Sequence, residues 1–170
     1  MASGKSSVTR RLQSATNRPV ISLDQQIEQK TGISVARIFA EQGEAAFRQL
    51  ETETLAELDA ERPLAIDTGG GIVQSPVAVQ LLRSRGVVIW LDAPWEFLRA
   101  RLKDSDQTTR PLIDRLGWAG LEELFRRRRC LYAAAADFRL RSDQGTVDEI
   151  AHKAMLRSLQ WERRCDEGRR

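Results

Sequence analysis

Short apolar runs alternate with longer amphipathic stretches along the whole chain. Pro19-Val20-Ile21-Ser22-Leu23, Pro63-Leu64-Ala65-Ile66-Asp67, Val87-Val88-Ile89-Trp90-Leu91 and Asp137-Phe138-Arg139-Leu140-Arg141 predict four strands. The third run is apolar without interruption, the pattern of a strand covered on both faces of a parallel sheet. Between the strands the period becomes helical. A helix is predicted from Lys5 to about Ala15, ending near Asn17-Arg18-Pro19, and another over Gln25 to Lys30, stopping at Gly32. Ser34 caps a helix running to about Ala40, with Val35, Ile38 and Phe39 at helical spacing. A longer helix spans about Glu44 to Ala60, with Phe47, Leu50, Leu55 and Leu58 on its buried side. Ser75-Pro76 opens a helix with serine as cap and proline at the first helical position; Gly86 closes it. Further helices are expected over Pro94 to about Lys103 and Ala119 to about Ala135, separated by an exposed polar loop from Asp104 to Gly117. Thr146-Val147-Asp148-Glu149 is a capping box for the last helix, frayed from Glu162 onward. Strands alternating with helices imply an α/β fold: a parallel sheet, helices on both faces, and ligands at the carboxyl ends of the strands.

Composition changes this picture little. The 170 residues suit one domain with a real core, and 30% charged against 41% hydrophobic is ordinary for a soluble globular chain. No apolar run approaches the ~20 residues that cross a bilayer, and no signal-peptide pattern opens the sequence. Cys130 and Cys165 lack metal-ligand spacing and read as reduced thiols, so a cytoplasmic protein is expected. The net charge of +3 is concentrated in Arg126-Arg127-Arg128-Arg129 and the C-terminal arginines. Such runs are usually solvated faces, but the planar guanidinium also matches phosphate and carboxylate.

The candidate chemistry begins with Ser3-Gly4-Lys5-Ser6-Ser7. Gly4-Lys5-Ser6 is the second half of the phosphate-binding motif G-x-x-x-x-G-K-[ST], in which backbone N–H groups at a helix N-terminus cradle phosphate oxygens. The lysine reaches the β- and γ-phosphates and the serine hydroxyl ligates Mg²⁺. The tripeptide alone is common and also fits a capped surface helix. Asp24, at the end of the first apolar run, is placed to orient a hydroxyl or accept its proton, or to cap a helix. Gly69-Gly70-Gly71 permits close backbone approach to a ligand, or merely a turn.

These blocks occur together in a diagnostic order. Gly4-Lys5-Ser6, Asp24-x-x-Ile27-Glu28, Ile38-Phe39, Gly43-Glu44, Phe47-Arg48-x-Leu50-Glu51, Gly69-Gly70-Gly71, Arg110-Pro111-Leu112 and Arg128-x-x-Leu131-Tyr132 closely resemble the shikimate kinases, over about residues 3 to 155. The resemblance implies a P-loop, nucleoside-monophosphate-kinase-like domain over residues 1–170, with substrate-binding helices at about 25–60 and a lid at about 104–118. It implies ATP-dependent phosphorylation of the 3-hydroxyl of shikimate, in aromatic amino-acid biosynthesis, with Mg²⁺ as cofactor. Lys5, Asp24 and Arg110 would be catalytic, Arg110 as a lid arginine. Asp24, Arg48, Arg128 and the three glycines would bind shikimate, with Arg48 and Arg128 on its carboxylate. Ser3, Gly4, Lys5, Ser6, Ser7, Arg101, Arg110 and Gln144 would bind ATP. A monomer is expected, with no nucleic acid or membrane partner. Two other readings remain: a related kinase acting on a substrate such as gluconate, and a shikimate-kinase-like sensing module of a transcriptional regulator.

Three departures from the family pattern stand out. The first acidic position of its Asp-x-Asp is Ser22, while Asp67 stands where a small uncharged residue is usual; Asp67 is expected to replace the missing carboxylate beside Mg²⁺. Cys130 replaces the usual proline, which leaves the register within Arg126–Arg129 open. The first strand and first P-loop glycine have no counterpart here: either the sequence is truncated or misassigned at its start or the loop is built differently, and if Met1 is the true start, exposed apolar faces, lower stability and weak ATP affinity are expected.

Overall fold

The computed structural model describes residues 2–58, 63–104 and 111–167. In chain order its elements are α1 (Lys5–Thr16), β1 (Val20–Ser22), α2 (Leu23–Thr31), α3 (Val35–Glu41), α4 (Gly43–Glu57), β2 (Ala65–Asp67), a 3₁₀ turn (Ile72–Gln74), α5 (Pro76–Arg85), β3 (Ile89–Asp92), α6 (Trp95–Asp104), α7 (Pro111–Ala135), β4 (Phe138–Arg141) and α8 (Val147–Glu167).

Local chemistry explains most boundaries. Asn17 ends α1 in the left-handed region at φ 53°, and Gly32 does the same for α2 at φ 72°. Ser34 accepts from Arg37 N–H and Ser75 from Ala78 N–H, each satisfying an otherwise orphaned donor at its helix start. Thr146 and Glu149 exchange both bonds of the capping box, at 2.8 and 3.2 Å.

Two expectations are corrected. The polar loop is shorter than predicted, because helix already forms at Pro111; the break comes inside α7 at Gly117, whose φ of 62° and ψ of −179° interrupt the helical path. Residues 105–110 lie outside the described segments. The last helix is not frayed from Glu162: it continues to Glu167, and Glu162 is held to Arg18 at 2.7 Å. The strands pair in parallel as expected, in two pairs among the described residues, β1 with β2 and β3 with β4.

The larger core cluster joins Leu23 and Ile27 of α2, Ile38 of α3, and Phe47 and Leu55 of α4 to Ile72 and Ala78. A second joins Val8 of α1 to Ile150 and Ala151 of α8, with Leu12 and Leu91 against them. Fully burying one such aliphatic side chain contributes about 1.5–3 kcal/mol. These clusters pack α2 against α4 and β1 and hold α1 against β1, β2 and α8. The carboxyl ends of β1 and β2 therefore meet the N-terminus of α1 and the inner faces of α2 and α4.

Candidate active site

Ser22, not Asp24, caps α2: its hydroxyl accepts from Gln25 N–H at 3.4 Å. Asp24 sits one step into the helix, half-buried, with its carboxylate turned to the glycine turn; a Cβ built on Gly69 would lie 3.3 Å from its Oδ1. The same point lies 2.9 Å from Glu51 Oε1, so two carboxylates converge on Gly69. Gly71 is packed against the Arg48 guanidinium so closely that any side chain there would overlap it. Two of the three glycines are thus required by close approach.

Burial pushes the Asp24 carboxyl above the ordinary carboxylate range. Lys5 and Arg48 oppose that rise, and Asp67 adds to it. Glu51, 1% exposed, is also raised, again chiefly by burial, with Arg48 opposing. Arg48 donates to both Glu51 and Glu44, the latter at 2.9 Å. Glu44 Oε1 also accepts from Gln74 Nε2 at 3.0 Å and lies 3.9 Å from Arg128 Nη2. A carboxylate oxygen therefore already sits between the two guanidinium groups. Its contacts, led by the bond from Arg48, pull the Glu44 carboxyl below its usual range.

Helix phase sends the four arginines of the run to different partners. Arg126 and Arg127 pair outward with Glu122 and Glu123 at 2.6 and 2.8 Å, one turn back on α7. Arg129 turns to Asp92 at 3.2 Å, an acid that Arg139 also holds. Arg128 alone of the four is buried, at 8% exposure, and it lines the cleft with Lys5, Gly69, Gly70 and Tyr132. Tyr132, one turn further on, donates to Gly70 O at 2.5 Å and so ties α7 to the glycine turn.

At the other end of the cleft Gly4 caps α1 in the left-handed region, φ 88°. Ser3 and Lys5 line the cleft beside Thr68 and Gly69. The Arg101 guanidinium lies over Gly4, 3.4 Å from where a Cβ would stand. Ser6 donates to Asp67 Oδ2 at 2.6 Å, and strand register sets Asp67 directly beside Ser22. Ser7 is exposed on α1. Gln144 is exposed in the turn after β4, which is anchored where Ser142 N–H donates to Asp92 O at 2.8 Å. Arg110 lies outside the described residues.

The family model for shikimate kinase matches residues 1–158. The chain belongs to the shikimate kinase family. It is 34% identical over 160 residues to the shikimate kinase of Aquifex aeolicus, covering 94% of this chain and 92% of that one. It is 44% identical over 136 residues to the shikimate kinase of a Synechococcus species, covering 79% and 71%. The structure of shikimate kinase from Acinetobacter baumannii in complex with shikimate aligns with a TM-score of 0.84 at 32% identity, over 94% of this chain and 89% of that one. Among the described residues no helix is long and apolar enough to cross a membrane.

For a shikimate kinase, four of these residues were missed as site residues by sequence reasoning: Glu44, Glu51, Gln74 and Tyr132. Glu44 and Glu51 stand four before and three after Arg48, and Tyr132 four after Arg128, so helical spacing from each arginine was the available signal. Gln74 carried none, because its position depends on the 3₁₀ turn.

Proposed function

We propose that this chain transfers the γ-phosphoryl group of ATP to the 3-hydroxyl of shikimate. The observation that carries this reading is the convergence of Asp24, Arg48 and Arg128 on the glycine turn, with Lys5 at the same cleft and a carboxylate oxygen already lying between the two arginines. Phosphoryl transfer demands mainly positioning and charge neutralisation. The shikimate carboxylate takes the place of Glu44 between Arg48 and Arg128, which orients the ring. Asp24 hydrogen-bonds the acceptor hydroxyl and takes its proton as the oxygen attacks phosphorus. Lys5 and the backbone N–H groups at the start of α1 hold the phosphates. Arg101 lies beside that loop and covers the nucleotide, Gln144 contacts the base, and Arg110 neutralises charge on the transferring group.

Ser6 and Asp67 fit Mg²⁺: both offer oxygen, they are already within hydrogen-bond distance of each other, and Asp67 adjoins Ser22. Mg²⁺ supplies neutralisation of phosphate charge when bound. Asp67 thus takes over from the carboxylate that Ser22 lacks, while Ser22 keeps a capping role that serine performs as well as aspartate. Asp67→Asn is expected to weaken Mg²⁺ dependence by about tenfold or more, read as the metal concentration for half-maximal turnover and, without turnover, by Mg²⁺ titration of ATP binding. An unchanged titration would remove Asp67 from the metal site.

The reading is tested by following ADP release from ATP and Mg²⁺ with shikimate, with gluconate, and with neither. Release only with shikimate is expected. Shikimate binding without release would favour the sensing-module reading, and release with gluconate the related kinase. We further place the chain in the cytoplasm as a single-domain monomer, supported by its size and by two cysteines without metal-ligand spacing.

A further inference from the structure

The two cleft arginines are held in unequal ways. Arg48 is gripped from several sides: it donates to Glu51 and to Glu44, and its guanidinium lies over the Phe39 and Phe47 rings at 5.8 and 5.2 Å. Arg128 has no such harness. Among the described residues its one carboxylate contact is Glu44 at 3.9 Å, beyond hydrogen-bond reach, and its Nε is buried without a partner. A guanidinium with so few bonds of its own keeps its place only if the helix that carries it is fixed.

Tyr132 does the fixing. It stands one helical turn beyond Arg128 on α7, the spacing at which two side chains share a face. Its hydroxyl donates to Gly70 O at 2.5 Å, while the next residue, Gly71, lies directly against the Arg48 guanidinium. The helices that carry the two arginines therefore meet at adjacent residues of one turn, α4 through Arg48 and α7 through Tyr132. The Tyr132 ring is itself braced. It packs on Trp90 of β3 at 5.8 Å, and Trp90 carries the Arg129 and Arg139 guanidinium groups at 5.9 and 5.3 Å, both of which Asp92 holds. Asp92 is 2% exposed, so the brace is anchored in the interior. Burial pushes the Tyr132 hydroxyl above its ordinary range, against the opposing charge of Arg128, so the phenol stays a donor at neutral pH.

We propose that Tyr132 is a positioning residue for the substrate carboxylate: through Gly70 it sets the separation of Arg128 from Arg48. The inference rests on the kinase reading and deepens it. A carboxylate bound between two guanidinium groups has two oxygens at a fixed spacing, so its binding reports a shift of either cation. The acceptor hydroxyl and the nucleotide are held by other groups, Asp24 and the start of α1. Loss of the clamp therefore appears in shikimate binding and not in the transfer step.

Tyr132→Phe removes the hydroxyl and keeps the ring on Trp90. Its KM for shikimate is expected to rise about fivefold to tenfold, the worth of one hydrogen bond, with kcat and the KM for ATP within about twofold of wild type. A second arm repeats the change in an Arg128→Met background, read as shikimate Kd where turnover is too slow. There the further rise is expected to stay under about twofold, because the residue that Tyr132 serves is gone. Equal KM in Tyr132→Phe and wild type would overturn the proposal. So would a loss of kcat or Tm with KM unchanged, which would make the bond purely structural. An equal rise in both backgrounds would overturn it too, by placing the effect on the turn rather than on Arg128. A wild type that releases no ADP with shikimate sinks the kinase reading and this inference together, whereas release in wild type with no KM change in Tyr132→Phe sinks the inference alone.

Discussion

Replacing Asp24 by Asn lowers shikimate-dependent ADP release by about 10²–10⁴-fold, the range associated with losing a positioned general base. The amide keeps the size of the side chain and can still hydrogen-bond the acceptor hydroxyl, so KM for shikimate changes far less than kcat. The helix is not put at risk, because its cap is Ser22. The wild-type pH profile supplies a second readout. Burial raises the Asp24 carboxyl above its ordinary range near 3.9. Its working form is the carboxylate, so activity falls as pH drops through that raised value, and the acid limb lies above the usual aspartate range. Asn at this position removes that limb from whatever turnover remains. An Asp24→Asn variant with near-normal kcat would show that the residue accepts no proton in the transfer step.

Removing the Arg48 guanidinium has the largest expected effect on stability. Arg48→Ala strands Glu51, which is 1% exposed and has Oε1 without a partner even in the intact protein. Breaking a buried ion pair from one side costs about 3–5 kcal/mol, or about 10 °C in Tm for a chain of this size. The sign with pH follows from the direction of the shift. The Glu51 carboxyl is raised by burial and lowered by Arg48, so it rises further in the variant. A raised carboxyl favours the folded state below its unfolded value near 4.3, and that benefit is lost as pH climbs through the folded value. The deficit of Arg48→Ala is therefore small near pH 4 and full at neutral pH, as thermal melts across that range will reveal. The double change Arg48→Met with Glu51→Leu restores much of the stability, since apolar replacement of a buried pair is often neutral or better. It does not restore shikimate affinity. Recovery of both would mean that Arg48 serves only the fold.

What the sequence made legible was the chemistry that acts over a few residues. Ser34, Ser75 and the Thr146–Glu149 box announce helix starts because each side chain satisfies donors within one turn of itself. Asn17 and Gly32 announce ends because few residues adopt positive φ cheaply. Asp24, Arg48, Arg128 and Lys5 stood out through the resemblance to the shikimate kinases, and the fold sets Asp24 and Arg48 against the glycine turn and Lys5 and Arg128 along the adjoining cleft. Long-range decisions left no such trace. Whether α8 continues past Glu162 depends on Arg18, far away in sequence. Whether strands join depends on which edges meet, and apolar runs alone could not separate one sheet from two pairs. The missed Glu51 reads in isolation as another surface glutamate; only the packing of α4 against the glycine turn makes it a buried one.

The four consecutive arginines of α7 are not spare copies of one another. Each successive residue is rotated by about 100° on the helix axis, so these neighbours serve two outward ion pairs, the cleft and the Asp92 carboxylate in turn. Deleting a single residue between Gly120 and Phe125 would leave the number of cationic groups untouched and yet hand every one of them the wrong address.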